Sequence, residues 1–398
     1  MSQNYVEKLA PDIQNSFDGV ICFGGVDWWY HNRGHYDLQM MREFSEKVPV
    51  LYVNSIGMRP PNIVEGAMFF TRIRRKLKSL GHGLVNVRSN FSVFSPVTIP
   101  GGGKSKFGIW MAKVTLSFQV RWAAKKCGIT RPLVWVACPP GASIVEDFRA
   151  TRIIYQRTDR FEDFKGVDKQ KIIDFDVKLK QVSDAVLFCS RELFVAEKDQ
   201  NRNSQFIDHG VDFEKFEAAA LAAESDSIQP VDMKGIASPR IGFIGGIDIH
   251  TFDPELFLKV VQLLPEFQFV MIGACSLDEN WCPYENVHFL GQKPYEEVPS
   301  YMAACDILIM PWNKSDWIRA CNPVKMKEYL AIGKPIVSTY FPEVEYFKDH
   351  ILVATEAEEF ATALRDSLSN LPDPKHQRER VRQDTWAAKA NEVWKAVT

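Results

Sequence analysis

The sequence predicts an α/β protein of two Rossmann-like domains, each a parallel sheet covered by helices. Three observations carry this. Short apolar runs alternate with helical patterns along the chain, and such alternation builds parallel sheets from right-handed crossovers. The alternation pauses once, at the alanine-rich and then polar residues 218–235, and restarts. The first strand of each half ends alike, FGGVD at residues 23–27 and IGGID at residues 244–248. A length of 398 residues also suits two domains rather than one.

Taken in order, Val20-Ile21-Cys22-Phe23 is an apolar run closed by Gly24-Gly25. Continuous runs of this kind suit strands buried on both faces. A helical pattern over 36–47 precedes a strand at 50–54. Further strands are predicted at 133–136, 152–155 and 185–188, with a helix over 168–182. After the pause, a strand at 241–244 ends at Gly245-Gly246, and Asp253-Pro254 opens a helix to 264. Strands follow at 269–272, 287–290, 307–310 and 336–338. The expected organisation is a first domain at 1–215, a linker at 216–236, a second domain at 237–375 and a closing segment at 376–398. In open α/β sheets ligands sit beyond the carboxyl ends of the strands, so both glycine loops are expected at one cleft.

Composition sets bounds. The chain is 46% hydrophobic and 25% charged, which excludes disordered and fibrous classes. No apolar run approaches the length of a membrane span, and the first residues have no secretory pattern. Eight cysteines carry no Cys-x-x-Cys pair, as suits a reducing cytoplasm. The net charge of −2 conceals an asymmetry. Residues 66–145 hold thirteen Lys and Arg and no acid, while the rest carries 35 basic and 50 acidic residues. A basic block in an acidic protein marks an anionic partner. One cluster lies at 71–80, another at 104–126. In the second, Phe107, Trp110, Met111, Val114 and Phe118 fall at helical spacing. Such a helix can face the core or lie on an anionic membrane; eighty residues without an acid favour the membrane. No nucleic-acid recognition motif accompanies the block, so no nucleic acid is expected.

The stretch NPVKMKEYLAIGKPIVS, residues 322–338, is the most informative. Asn322 is placed to cap a helix, Pro323 to begin it and Gly333 to end it. Lys325 and Glu328, three apart, share a face. A lysine at a helix N-terminus makes a phosphate site, and a carboxylate one turn on can accept from ribose hydroxyls. The alternative is a capped surface helix with an ion pair.

With this stretch on the page, the C-terminal half resembles the donor domain of GT-B glycosyltransferases close to glycosyltransferase family 4. HGVD at 209–212, residues 286–312, PVKMKEYLAIGKPIV and Trp386 occur in the order of that group. The N-terminal half, with VICFGGVDWW and VPVLYVNSIGMRPP, is similar to a bacterial exopolysaccharide and teichuronic-acid branch. The resemblance implies a GT-B fold, two Rossmann-like domains facing a cleft with a last helix returning to the first. It implies that Gly245 and Gly246 approach the donor phosphates, Lys325 binds them, Glu328 binds the ribose and Gly291 turns near the base. Two departures stand out. The first acid of the family's Glu-x7-Glu is Ala320 here, and no Arg or Lys follows the glycine loop within 247–251.

On the acceptor side, Asp159 follows the strand at 152–155 and is the first candidate for catalytic base; the alternative is a helix cap. Asp27, after Gly24-Gly25, is the second candidate, or a turn residue. Trp28, His31 and Arg33 could meet sugar and phosphate, or anchor a loop. Asp174 and Asp176 form Asp-x-Asp inside a helix pattern, where i and i+2 do not share a face, and are taken as surface. No metal or other cofactor is expected, the nucleotide-sugar being a substrate; Lys325 and the helix dipole would neutralise the leaving diphosphate. The function expected is sugar transfer from a nucleotide-sugar to a glycan acceptor, a lipid-linked one being favoured, in bacterial surface or exopolysaccharide assembly, at the cytoplasmic face of the membrane. The alternatives are a sugar-nucleotide epimerase or phosphorylase on the same fold, and a non-catalytic relative that binds a partner. A dinucleotide oxidoreductase is disfavoured, since neither loop reads G-x-G-x-x-G.

Overall fold

The computed structural model describes residues 17–30, 34–56, 74, 78–97, 105–164, 166–225 and 229–397. The chain forms two compact units. The first comprises Met1–Cys189, Leu193–Ile207 and Ala390–Thr398, the second Ser190–Glu192 and Asp208–Lys389.

The first unit holds an eight-stranded sheet. Its strands are β1 Gly19–Phe23, β2 Val50–Val53, β3 Leu84–Arg88, β4 Phe91–Phe94, β5 Pro132–Val136, β6 Arg152–Arg157, β7 Ala185–Phe188 and β8 Ser204–Phe206. They are ordered β3-β4-β2-β1-β5-β6-β7-β8. All pairs are parallel except β3 with β4, joined by a tight turn with Asn90 at φ 55°. This antiparallel edge was not expected from the sequence, because β3 is only partly buried and carries no continuous apolar run. The helices are α1 Tyr36–Ser45, α2 Lys106–Lys126, α3 Lys169–Val182 and α4 Arg191–Glu197.

The second unit is a six-stranded, all-parallel sheet of β9 Arg240–Ile244, β10 Gln268–Ile272, β11 Val287–Gly291, β12 Ile307–Met310, β13 Ile336–Ser338 and β14 Leu352–Val353. The order is β11-β10-β9-β12-β13-β14, which is 3-2-1-4-5-6 within the unit, the order of dinucleotide-binding sheets. Its helices are α5 Phe213–Glu224, α6 Pro254–Leu263, α7 Val298–Ala303, α8 Asp316–Arg319, α9 Val324–Ile332, α10 Ala357–Ser369 and α11 Pro374–Glu379, while α12 Trp386–Val397 begins in this unit and passes into the first at Ala390. Strand residues alternate between two cores. Ile241, Phe243, Phe269, Met271, Ile307 and Ile309 pack on α6 and α10. Ile244, Val270, Ile272, Leu308 and Met310 pack on α5, α7 and α9. Burial on both faces is why these strands read as unbroken apolar runs.

The linker expected at 216–236 is corrected. Phe213, Phe216 and Ala220 of α5 are buried in the second unit's core, so the change of unit falls at Asp208. The closing segment is also divided, since only residues 390–398 group with the first unit. There Trp394 packs on Phe17 and Phe44. The HGVD and Trp386 motifs meet each other. A Cβ on Gly210 would lie 2.6 Å from the Trp386 backbone, and Asp208 pairs with Lys327 at 2.7 Å and Lys389 at 2.8 Å. Among the described residues no helix is long and apolar enough to cross a membrane.

Candidate functional site

Each sheet reverses its strand order beside its first strand, at β1–β5 and at β9–β12. A ligand crevice forms where the order reverses, and both glycine loops start there. The echo between them is geometric. Gly24 N–H donates to Val53 O at 2.9 Å, and Gly245 N–H to Ile272 O at 2.9 Å. Asp27 Oδ1 accepts from Trp29 N–H at 3.0 Å, and Asp248 Oδ1 from His250 N–H at 2.8 Å. Both aspartates brace a turn, as short polar side chains do two residues on.

The two loops differ in what fills them. In the first unit a Cβ on Gly24 would lie 2.1 Å from the Tyr52 hydroxyl. Buried Asp37 accepts from Gly25 N–H and Tyr52 OH, each at 2.8 Å. Gly24 and Gly25 are thus accounted for by Tyr52 and Asp37, which drew no notice in the sequence. In the second unit the place of the phenol is taken by a cation. A Cβ on Gly245, at φ 155°, would lie 2.2 Å from Lys325 Nζ. Gly246 is exposed.

Lys325 lies in the first turn of α9. Its ammonium is 5.0 Å from the Phe243 ring centroid and 5.4 Å from that of Trp312. Among the described residues it makes neither an ion pair nor a hydrogen bond. Burial pushes its pKa down to about 8, against the attraction of Glu328 and Asp248. Glu328 is 5% exposed. Burial pushes its pKa up to about 7, with Lys325 opposing. Its Oε1 lies 3.4 Å from the donating Tyr295 hydroxyl. The ion pair of the alternative reading is therefore not made.

Tyr329 sets the helix in place. Its hydroxyl accepts from Ile244 N–H at 3.1 Å and donates to Ile309 O at 3.4 Å, tying α9 to the ends of β9 and β12. Gly333 ends α9 at φ 83°. The expected cap is corrected: Pro323, not Asn322, is the N-cap, and it offers no side-chain cap. An extended residue is favoured at this position, and the proline ring holds φ near that value. Asn322 is instead buried. Gly291, at φ 70°, accepts from Gly273 N–H at 3.0 Å. Gly273 was missed in the sequence; a Cβ there would fall 1.8 Å from Gly245 O.

In the first unit Asp159 follows β6 and is half-buried; its carbonyl accepts from Phe161 N–H. Two residues earlier, Arg157 is 1% exposed and pairs with Glu162, Asp176 and Glu197. Lys180 joins Asp176 and Glu197, each at 2.6 Å. Asp176 is thus a buried network residue, a correction to its placement on the surface. Trp28 is half-buried and lies 5.1 Å from the Phe91 ring. His31 and Arg33 lie outside the described residues.

The aromatic stripe of α2 faces outward. Phe107 is 70%, Trp110 54% and Phe118 66% exposed, and Met111, Val114 and Trp122 continue the row. The helix buries the opposite side, through Leu116, Ser117, Val120, Ala123 and Ala124. The core-facing alternative does not hold.

Comparison with known proteins adds the following. Residues 238–370 match the family described as Glycosyl transferases group 1. A Bacillus subtilis (strain 168) protein, named for teichuronic acid biosynthesis as the glycosyltransferase TuaH, is 30% identical over 189 residues. That match covers 44% of this chain and 45% of the relative, so the chain spans less than half the length of the curated protein it matches. Sucrose-phosphate synthase from Thermosynechococcus elongatus superposes with a TM-score of 0.68 at 13% identity, covering 94% of this chain and 97% of that one. The Anabaena protein Alr3699/HepE, solved with UDP and glucose, gives 0.59 at 15%, covering 95% and 94%. Trehalose 6-phosphate synthase from Burkholderia multivorans gives 0.62 at 12%, covering 95% and 97%. At these identities the likeness shows the fold, and the chain has the two-domain GT-B fold.

Proposed function

We propose that this GT-B chain is a glycosyltransferase that moves a sugar from a nucleotide-sugar to a hydroxyl of a glycan acceptor in bacterial surface-polysaccharide assembly. The observation that carries this is Lys325, an unneutralised ammonium held against Phe243 and Trp312 beside Gly245. It lies at the switch point of a 3-2-1-4-5-6 sheet, where such sheets bind nucleotides. A cation in this setting, at a helix N-terminus, suits a diphosphate. Buried Glu328 one turn on suits the ribose hydroxyls. The Glycosyl transferases group 1 match over the same residues and the UDP complexes of Alr3699/HepE support the assignment.

In this scheme Lys325 and the α9 dipole stabilise the leaving diphosphate without a metal. Asp159 takes the proton from the acceptor hydroxyl. Asp27, which braces its turn, is the reserve candidate. The likeness to TuaH supports a surface-polysaccharide role. The outward stripe of α2, within the acid-free basic block, supports docking on the anionic inner face of the membrane. A lipid-linked acceptor would then be reached in place. The test is thermal shift and transfer with UDP-, GDP- and ADP-sugars. Stabilisation by one nucleotide series and sugar release dependent on an acceptor are expected; no stabilisation by any series would refute the assignment.

A further inference from the structure

Among the described residues, the hydrogen-bond donor to Glu328 is the Tyr295 hydroxyl, 3.4 Å from Oε1. Tyr295 lies in the turn between β11 and α7 and is 6% exposed. Two residues of α5 hold its ring. Phe216 meets it edge-on, with centroids 6.4 Å apart, and the Lys215 ammonium lies 4.7 Å from its centroid. A second carboxylate faces the same hydroxyl. Asp212 is the N-cap of α5, yet its side chain makes no cap hydrogen bond. It turns instead to Lys215 Nζ, at 3.4 Å, and to the Tyr295 hydroxyl. Burial, then the charges of Glu328 and Asp212, hold the Tyr295 phenol well above its ordinary pKa, so it keeps its proton. A phenol has one hydrogen to donate. Two carboxylates therefore share one donor, and 3.4 Å is longer than an undivided O–H···O bond.

We propose that Tyr295 is a positioning residue for donor binding: its hydroxyl orients Glu328 through Oε1 and leaves Oε2 to accept from the ribose, while Asp212 competes for the same hydrogen. This rests on the assignment of Glu328 to the ribose of a nucleotide-sugar. A buried carboxylate without a donor favours its protonated form, which accepts less well from a hydroxyl. The charged groups that act on Glu328 are Lys325, Asp212 and Lys215. Burial raises its pKa most, Lys325 and the Tyr295 hydrogen bond lower it, Asp212 raises it and Lys215 lowers it.

Calorimetry on the full chain tests this with whichever of UDP, GDP and ADP binds most tightly and with its 2′,3′-dideoxy counterpart. The wild type should prefer the ribose form by roughly tenfold. Tyr295→Phe keeps the ring and removes the hydroxyl. It should reduce that preference by about threefold or more and move the acid limb of Kd against pH to higher pH, because the carboxylate loses a donor. Asp212→Asn should move the same limb to lower pH, because a like charge is removed. A purely structural role would weaken both nucleotides equally and leave the limb in place, so an unchanged preference or an unmoved limb in Tyr295→Phe would overturn the proposal. If that variant fails to fold, Asp212→Asn decides: a limb that stays or moves upward overturns it. Glu328→Ala with the full ribose preference would instead refute the Glu328 assignment. Failure of all three nucleotides to bind the wild type would refute the nucleotide-sugar reading. In either case the role of Tyr295 falls with it.

Discussion

A methyl group on Gly245 would lie 2.2 Å from the Lys325 ammonium nitrogen. The glycine at the end of β9 and the lysine of α9 are therefore one device, the first leaving the space that the second occupies. Gly245→Ala should cost about 1–3 kcal/mol of stability, since φ 155° disfavours a side chain. It should also displace the ammonium. A donor Kd raised by roughly tenfold or more is expected, measured by calorimetry alongside thermal unfolding. A variant with unchanged donor affinity would separate the two residues.

Lys325→Ala removes the charge itself. Losing a charge-assisted contact should weaken nucleoside diphosphate binding by about 1.5–3 kcal/mol. UDP or GDP bound as tightly as by the parent would remove Lys325 from the phosphate site.

Donor binding should have a narrow pH optimum between about 7 and about 8, the values to which burial drives Glu328 and Lys325. Above the upper value the ammonium is lost, and affinity should fall by roughly tenfold per pH unit. Below the lower one the Glu328 carboxylate is protonated and accepts less well from the ribose. Glu328→Gln should abolish the acid limb of a Kd-against-pH series and leave the alkaline limb.

The same substitution should stabilise the free protein. The pKa of Glu328 rises from 4.5 to about 7 on folding, so its ionisation opposes folding as pH climbs through that window. Glu328→Gln should raise Tm by several degrees at pH 8 and by nothing near pH 4, while donor affinity drops. Tm lowered at pH 8 would show that the carboxylate is held by partners that favour its charge.

Asp159→Asn should cut turnover by at least ~100-fold while donor affinity stays near that of the parent. Steady-state transfer and calorimetry give the two readouts, and near-normal turnover would remove Asp159 from the chemistry.

Vesicles of graded anionic lipid content should retain the protein in co-sedimentation, the more so at low salt. Trp110→Ala with Phe118→Ala should abolish the salt-resistant fraction without lowering Tm, since both side chains are exposed. No retention at high anionic content and low salt would refute membrane docking.

Much of the framework was legible in the sequence because local patterns report it. Strands buried on both faces show as apolar runs, and β9, β10 and β12 were found that way. Asp253 begins α6 by accepting from Leu256 N–H, and Gly333 ends α9 at φ 83°, where a residue without a side chain is favoured. The motif at Lys325 and Glu328 was visible as residue types at a spacing. What the spacing could not tell was that these two do not pair with each other, because that depends on which rings and backbone enclose them. Only the tertiary structure brought Tyr52 and Asp37 to fill one glycine loop, and Lys325 to fill the other. It also turned the α2 stripe outward, through the burial of Leu116, Val120 and Ala124 on the opposite side. It drew Asp176 into the Arg157 network and left three polar atoms of the β12 loop without partners among the described residues. Periodicity is a property of neighbours along the chain, whereas burial, charge state and hydrogen-bond satisfaction are properties of neighbours in space.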